Sequence, residues 1–290
     1  MFRKIASIGL TAILAASLST AAFADEKAKP VKLGWAAWSD AEFVTKLAAK
    51  LIEDKLGRKV DLVQTDVAPL YQGVARGDLD AMMMAWLPQT HADYYARVKD
   101  KVETLGTVYK GAKLGWVVPT YIPADAISTI EDLKKPDVAR KLGGTVQGID
   151  PGAGLTRLSE QAVKDYDLDY KLQISSEAGM LTSVERATRS QKWFVATSWS
   201  PHWMFGKYNL RYLKDPKGSL GEAEHVDVIG RKGLKEEDPK VAGFLSRINL
   251  PINDLEAAMF EAQETSYDAA VDKYITDHPE QVKAWLEGSN

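Results

Sequence analysis

Beyond residue 30 this chain alternates strand-like and helix-like segments, and that cadence restricts it to one class of fold. Val31-Lys-Leu-Gly-Trp35-Ala36 reads as a strand, and Ser39-Asp-Ala-Glu42 follows with the spacing of a capping box, which opens a helix. Phe43, Val44, Leu47, Leu51 and Ile52 give that helix one apolar face, and Gly57 ends it. Residues 60–65 form a second strand, and residues 69–76 a short helix closed by Gly77. The nearly continuous apolar run of residues 80–86 suits a strand buried on both faces. This β-α-β-α-β order is that of a parallel sheet covered by helices. Residues 113–119 add a strand, and a second cycle then begins. It has a capping box at Ser128-Thr-Ile-Glu131, strands over 144–149, 171–175 and 193–199, and helices over 153–166 and 180–190. Residues 225–231 make a last strand, and residues 236–287 are almost wholly helical in pattern. Two such units exceed what one hydrophobic core usually supports, so two lobes are expected. Residues 25–117 with 225–290 form the first and residues 118–224 the second. The chain crosses between them on strands near 116–119 and 225–231. Ligands of open α/β sheets sit beyond the carboxyl ends of the strands, which here places a site in the cleft.

The first 24 residues are a segment apart. Arg3 and Lys4 precede an apolar stretch that ends in Ala22-Phe23-Ala24, the pattern of a cleavable secretory signal with an A-x-A site. No later stretch approaches the roughly 18 apolar residues of a membrane helix. The chain contains no Cys, which leaves no residue for a lipid anchor, a disulfide, a thiolate metal site or a Cys nucleophile. A soluble, exported, periplasmic monomer without an anchor is therefore expected. The formal net charge of −3 and the lack of a basic run argue against nucleic acid or anionic lipid as partners. The four His, at 91, 202, 225 and 278, are too scattered to suggest a metal site, and nothing in the sequence asks for a cofactor.

Eight Trp are the unusual feature that remains. Three strands run into a Trp followed at once by polar or turn residues: Trp38-Ser-Asp, Trp86-Leu-Pro-Gln-Thr-His91 and Trp199-Ser-Pro-His-Trp203. At the same topological end of three strands, drawn from both lobes, Trp38, Trp86 and Trp199 would converge on the cleft as an aromatic box. Such boxes hold quaternary ammonium groups by cation–π attraction, each face contributing about 0.5–2 kcal/mol. A fourth strand runs into Gly148-Ile-Asp-Pro-Gly-Ala-Gly154 and then a helix, and successive backbone N–H groups at such a turn suit a carboxylate or phosphate. Together the two features describe a zwitterion with a quaternary cation at one end and a carboxylate at the other.

WAAWSD at 35–40, AWLPQTH at 85–91, GIDPGAG at 148–154 and SWSPHWMF at 198–205 resemble the substrate-binding proteins of glycine betaine ABC importers, and the likeness covers essentially the whole chain after the signal. It implies a type II-like periplasmic binding protein fold, an α/β architecture with a sheet flanked by helices in each lobe and the ligand in the inter-lobe cleft. It also implies that Trp38, Trp86 and Trp199 surround the trimethylammonium group. The Gly148 and Ile149 amides would hold the carboxylate, His91 would donate beside them, and a membrane permease would receive the ligand. It does not separate glycine betaine from proline betaine, carnitine or a sulfonio analogue.

Two other readings compete with this one. An exported hydrolase would need a nucleophile, a base and an orienting group. Ser200 and His202 are close in sequence, yet no G-x-S-x-G, H-E-x-x-H or S-x-x-K pattern is present. A sugar-binding protein would stack pyranose rings on Trp, but it needs more side-chain hydrogen bonders than these segments carry. Trp203 could line the cleft or pack. Trp35, Trp116, Trp193 and Trp285 read as packing.

Overall fold

A computed structural model describes residues 29–287, and the signal read over residues 1–24 lies outside them. The first part of the chain runs β1 (Val31–Trp35), α1 (Ser39–Leu56), β2 (Val60–Gln64), α2 (Val67–Arg76), β3 (Ala81–Leu87), α3 (Ala92–Ala96) and β4 (Val102–Pro119). It continues through α4 (Pro136–Leu142), β5 (Thr145–Gln147), α5 (Gly154–Asp165), β6 (Lys171–Gln173), α6 (Glu177–Arg189), β7 (Val195–Ser200), α7 (Met204–Lys207) and β8 (Leu210–Tyr212). It ends with β9 (Glu224–Arg231), α8 (Leu234–Glu237), α9 (Pro239–Arg247), α10 (Ile252–Glu264), α11 (Tyr267–Asp277) and α12 (Pro279–Leu286).

The strands lie in the order β2-β1-β3-β9-β4-β7-β5-β6, with β8 joined to β4. β1 pairs in parallel with β2 and β3, as the β-α-β-α-β pattern requires. β9 enters antiparallel between β3 and β4. On the other side β7 runs antiparallel to β4 and parallel to β5, which pairs in parallel with β6. β4 is thus common to two groups of strands: Val102 to Ala112 pairs with β9, and Lys113 to Val117 with β7. Gly111, in the left-handed region at φ +80°, sits where the register slips between Lys110 and Ala112 and the strand changes partner.

Only the second half of β4 was legible as a strand. Its first half is interrupted by three register shifts against β9, so the period-two alternation that marks a half-buried strand is broken there. The capping boxes also differ from expectation. Ser39 is the first residue of α1, whose cap position is Trp38 and carries no side-chain cap, because the Ser39 hydroxyl is turned toward Glu177. The box read at Ser128 and Glu131 forms one residue later, between Thr129 and Asp132.

The core follows the apolar periodicity. Phe43, Val44, Leu47, Leu51 and Ile52 of α1 are all fully buried, and every residue of β3 is buried. Each such aliphatic or aromatic side chain contributes about 1.5–3 kcal/mol by leaving water. The helical tail folds back on this first group: Phe43 meets Tyr274 edge-on at 5.7 Å, and Trp285 stacks on Tyr274. The outcome is that β1, β3 and β7 bring their carboxyl ends toward one place.

Gly111→Ala forces an L side chain into the left-handed region, and the single contact it would gain, with Ile252 Cδ1 at 3.7 Å, is too small to offset the strain. We expect a loss of about 1–2 kcal/mol, seen as a melting temperature lower by roughly 2–8 °C in calorimetry; an unchanged melting temperature would show that the strand accommodates the change.

Candidate ligand-binding site

The three strand-end tryptophans meet. Trp38, just past β1, Trp86 on β3 and Trp199 on β7 wall one small pocket. Each is less than a tenth exposed. Leu114 of β4 completes the apolar side. Thr90 and His91 from the turn after β3, Ile149 and Ala153 from the turn into α5, and Gly154 and Leu155 at the head of α5 complete the wall, with the His91 ring 6.0 Å from that of Trp38.

The rings are held from behind. Trp38 donates its indole N–H to Asp150 Oδ2 at 2.9 Å, and Trp199 donates to Asp40 Oδ1 at 3.0 Å. Trp86 lies edge-on to Tyr109, at 6.3 Å and 82° between planes. Tyr109 in turn donates its hydroxyl to Asp40 Oδ2 at 2.6 Å. An indole whose N–H points at a carboxylate keeps its orientation and gains electron density on its faces, which suits a cation resting there. Burial pushes the Asp40 carboxyl above its ordinary range, while the Tyr109 and Trp199 hydrogen bonds hold it down. Burial, with Asp40 beside it, keeps the Tyr109 phenol protonated.

The other end of the pocket presents donors. The Trp86 backbone N–H donates to His91 Nδ1 at 3.2 Å, which fixes the ring so that a neutral imidazole carries its hydrogen on Nε2. That Nε2 is buried and has no partner among the described residues. Burial first, and Arg157 second, lower the His91 pKa from 6.5 to about 3, so the ring is an uncharged donor. Helix α5 starts at Gly154 without a side-chain cap, leaving its first amides, the positive end of the helix, against the same pocket.

Of the two amides expected from the 148–149 segment, one is differently employed. The Gly148 N–H donates to Gln173 O at 2.9 Å as an extension of the β5–β6 pairing, and Gly148 is not among the pocket walls. Ile149 lines the pocket, and its N–H has no acceptor among the described residues. Sequence reasoning missed Thr90, Leu114, Ala153, Gly154 and Leu155 as walls, although all but Leu114 lie within or beside the quoted motifs.

The turn bearing His91 is itself anchored. Glu224, at the start of β9, accepts from the Gln89 N–H at 2.5 Å, the Thr90 N–H at 2.9 Å and the Thr90 hydroxyl. From the facing side, Arg157 donates to the Gln89 and Thr90 carbonyls, and the Tyr94 hydroxyl donates to Gly152 O.

The remaining tryptophans do not reach the pocket. Trp203 donates to the Ser39 hydroxyl at 2.9 Å. Trp116 donates to Ser159, Trp35 and Trp285 are buried, and Trp193 lies under the Lys141 ammonium at 4.1 Å. Ser200 and His202 are not paired as nucleophile and base: Ser200 donates to Glu256, and His202 Nδ1 accepts from the Met204 N–H.

Residues 29–277 match the profile of the substrate binding domain of ABC-type glycine betaine transport systems. A glycine betaine/carnitine transport binding protein of Listeria monocytogenes is 37% identical over 158 residues; the match takes in 53% of this chain and 53% of that protein, so the chain spans about half the length of the curated relative it matches. Among solved structures, lactococcal OpuAC in its closed, glycine betaine-bound conformation superposes with a TM-score of 0.82 at 37% identity, covering 89% of this chain and all of that one. An ABC-transporter choline binding protein in complex with choline gives 0.81 at 26% identity, covering 89% and 92% of the two chains. The architecture is accordingly the two-lobed α/β fold expected, with the pocket between lobes. The chain belongs to the family of substrate-binding domains of ABC-type glycine betaine transport systems.

Proposed function

We propose that this protein captures a quaternary ammonium zwitterion of the glycine betaine class and delivers it to an ABC permease. The observation that carries the reading is one pocket walled by three indoles and by a buried imidazole N–H that has no partner among the described residues. A trimethylammonium group has no N–H to donate, so ring faces suit it better than a desolvated carboxylate would. Trp38, Trp86 and Trp199 take the cation. His91 Nε2, the Ile149 amide and the first amides of α5 take the carboxylate, in place of the Gly148 amide. Choline has the cation and no carboxylate. It leaves these donors unpaired, a loss of about 1–3 kcal/mol or roughly ten- to hundredfold in affinity.

We assign residues 25–117 and 225–290 to one lobe and 118–224 to the other, a division supported by the change of partner along β4. The ligand joins them, since Trp38 and Trp86 come from one and Trp199 and Ile149 from the other. The mature protein works outside the cytoplasm, in the periplasm, as a monomer without catalytic activity. Among the described residues no helix is long and apolar enough to cross a membrane.

Calorimetry with glycine betaine, proline betaine, carnitine, choline and maltose tests the assignment. Betaines are expected to bind more tightly than choline and maltose not at all, and Trp86→Ala to lose at least tenfold in betaine affinity while staying folded. Absence of betaine binding at millimolar concentration refutes the function, and unchanged affinity in the variant removes Trp86 from the box.

Closure has its own test. A Cβ on Gly154 would collide with Thr90 O and lie 2.5 Å from Thr90 Cγ2, across the cleft. Gly154→Ala should therefore weaken betaine binding by tenfold or more and leave the melting temperature of the ligand-free protein within about 2 °C, the size of a surface substitution. A large fall in that temperature without ligand would place the contact inside one lobe.

The state of His91 predicts a pH profile. With a folded pKa of about 3 against 6.5 unfolded, the unfolded chain binds a proton that the folded one refuses between those values. His91 thus contributes its full stabilisation above about pH 6.5 and loses it progressively toward pH 3. Urea unfolding from pH 7 to 4 should show this slope in the native protein and a flatter one in His91→Gln; a His91 ring that titrates near pH 6 by NMR would contradict the neutral donor.

A further inference from the structure

Two helices meet head to head over one carboxylate. α1 begins at Ser39 and α6 begins at Glu177, and the helices belong to the two different groups of strands. Glu177 is only 5% exposed. Its Oε2 accepts the Ser39 backbone N–H at 3.0 Å, its Oε1 accepts the Ser39 hydroxyl, and His202 Nε2 stands 3.2 Å from the same oxygen. Glu177 is not needed to cap its own helix, because the Ser176 side chain does that by accepting from Gly179 N–H. Helix α1, by contrast, has no cap of its own, since Trp38 occupies that position. The Ser39 hydroxyl also accepts the Trp203 indole N–H, so this aromatic side chain, too, is tied to the junction. Glu177, Ser39 and Trp203 are all absent from the pocket walls.

We propose that Glu177 is a closure latch, a positioning residue that caps α1 across the cleft when the lobes shut and so sets ligand affinity without touching ligand. The inference rests on the two-lobed, cleft-binding reading above. Opening the cleft separates Ser39 from Glu177 and returns both to water. Closing it places one negative charge between two helix N-termini, where the positive ends of both dipoles favour it and charge-assisted hydrogen bonds replace hydration. Measured affinity scales with the fraction of molecules closed. Losing the latch must therefore weaken every ligand by one common factor, unlike loss of a residue in the pocket.

The experiment compares Glu177→Ala, Glu177→Gln and Ser39→Ala with the native protein, using glycine betaine and choline as probes. The chain has no Cys, so spin labels at Lys55→Cys on α1 and Glu185→Cys on α6 report the lobe separation without interference. Glu177→Ala should weaken both ligands equally, on the order of tenfold, chiefly through faster dissociation, and lower the closed fraction at a fixed subsaturating ligand concentration. Glu177→Gln should retain part of the effect, and Ser39→Ala should add little once Glu177 is gone. Unequal losses for the two ligands, additive losses at Ser39 and Glu177, or an unchanged closed fraction would each overturn the latch. If the native protein binds neither ligand, the binding reading fails by itself. The latch is then judged on the ligand-free labels, and a native population no more closed than that of Glu177→Ala overturns it.

Discussion

A carboxylate can be buried only where donors converge on it, and three such carboxylates fix the geometry around this pocket. Asp40 gathers the Trp199 indole and the Tyr109 hydroxyl, Glu224 gathers two amides and a hydroxyl of the 88–91 turn, and Glu177 gathers the head of α1. Each is nearly dry, each is served from a distant part of the chain, and none forms part of the pocket wall. Removing a donor would leave a buried charge short of partners, so these contacts resist independent drift. Trp199 owes its orientation to Asp40 directly and Trp86 through Tyr109, while Trp38 is held by Asp150.

In the binding mode proposed above, the two ends of the pocket solve opposite problems with the same economy of charge. At the cation end the acids stand behind the rings, reached through indole N–H groups, so a quaternary ammonium meets aromatic surface rather than a desolvated anion. At the other end the lining residues carry no formal positive charge: a neutral imidazole, a free amide and a helix terminus provide hydrogen bonds and partial charge only. A zwitterion enters such a site without forming a buried ion pair at either end, which avoids the largest desolvation costs.

What the sequence made legible, and what it hid, divides along contact range. The strand ends bearing Trp38, Trp86 and Trp199 could be read because each lies where an apolar run stops, and the runs themselves carry the periodicity of the fold. The role of Ser39 was misread as a local cap because nothing in the spacing of 39–42 reveals a glutamate 138 residues away. The Gly148 amide was misassigned for a related reason: whether an amide is free depends on the neighbouring strand, here Gln173, and not on the turn that contains it. The first half of β4 escaped notice because its bulges erase the alternation by which strands are recognised.

The position of β9 in the sheet has a consequence in time. The strand that lies between β3 and β4 is the last of the nine to be synthesised, so the sheet holding two of the three indoles stays divided until Arg231 has been made. The intervening residues, by contrast, can pair β4 with β7 and β7 with β5 from a shorter stretch of chain. Pairings of such long sequence separation form slowly. The pocket draws on both halves, so its walls are complete only when both sets of pairings have formed.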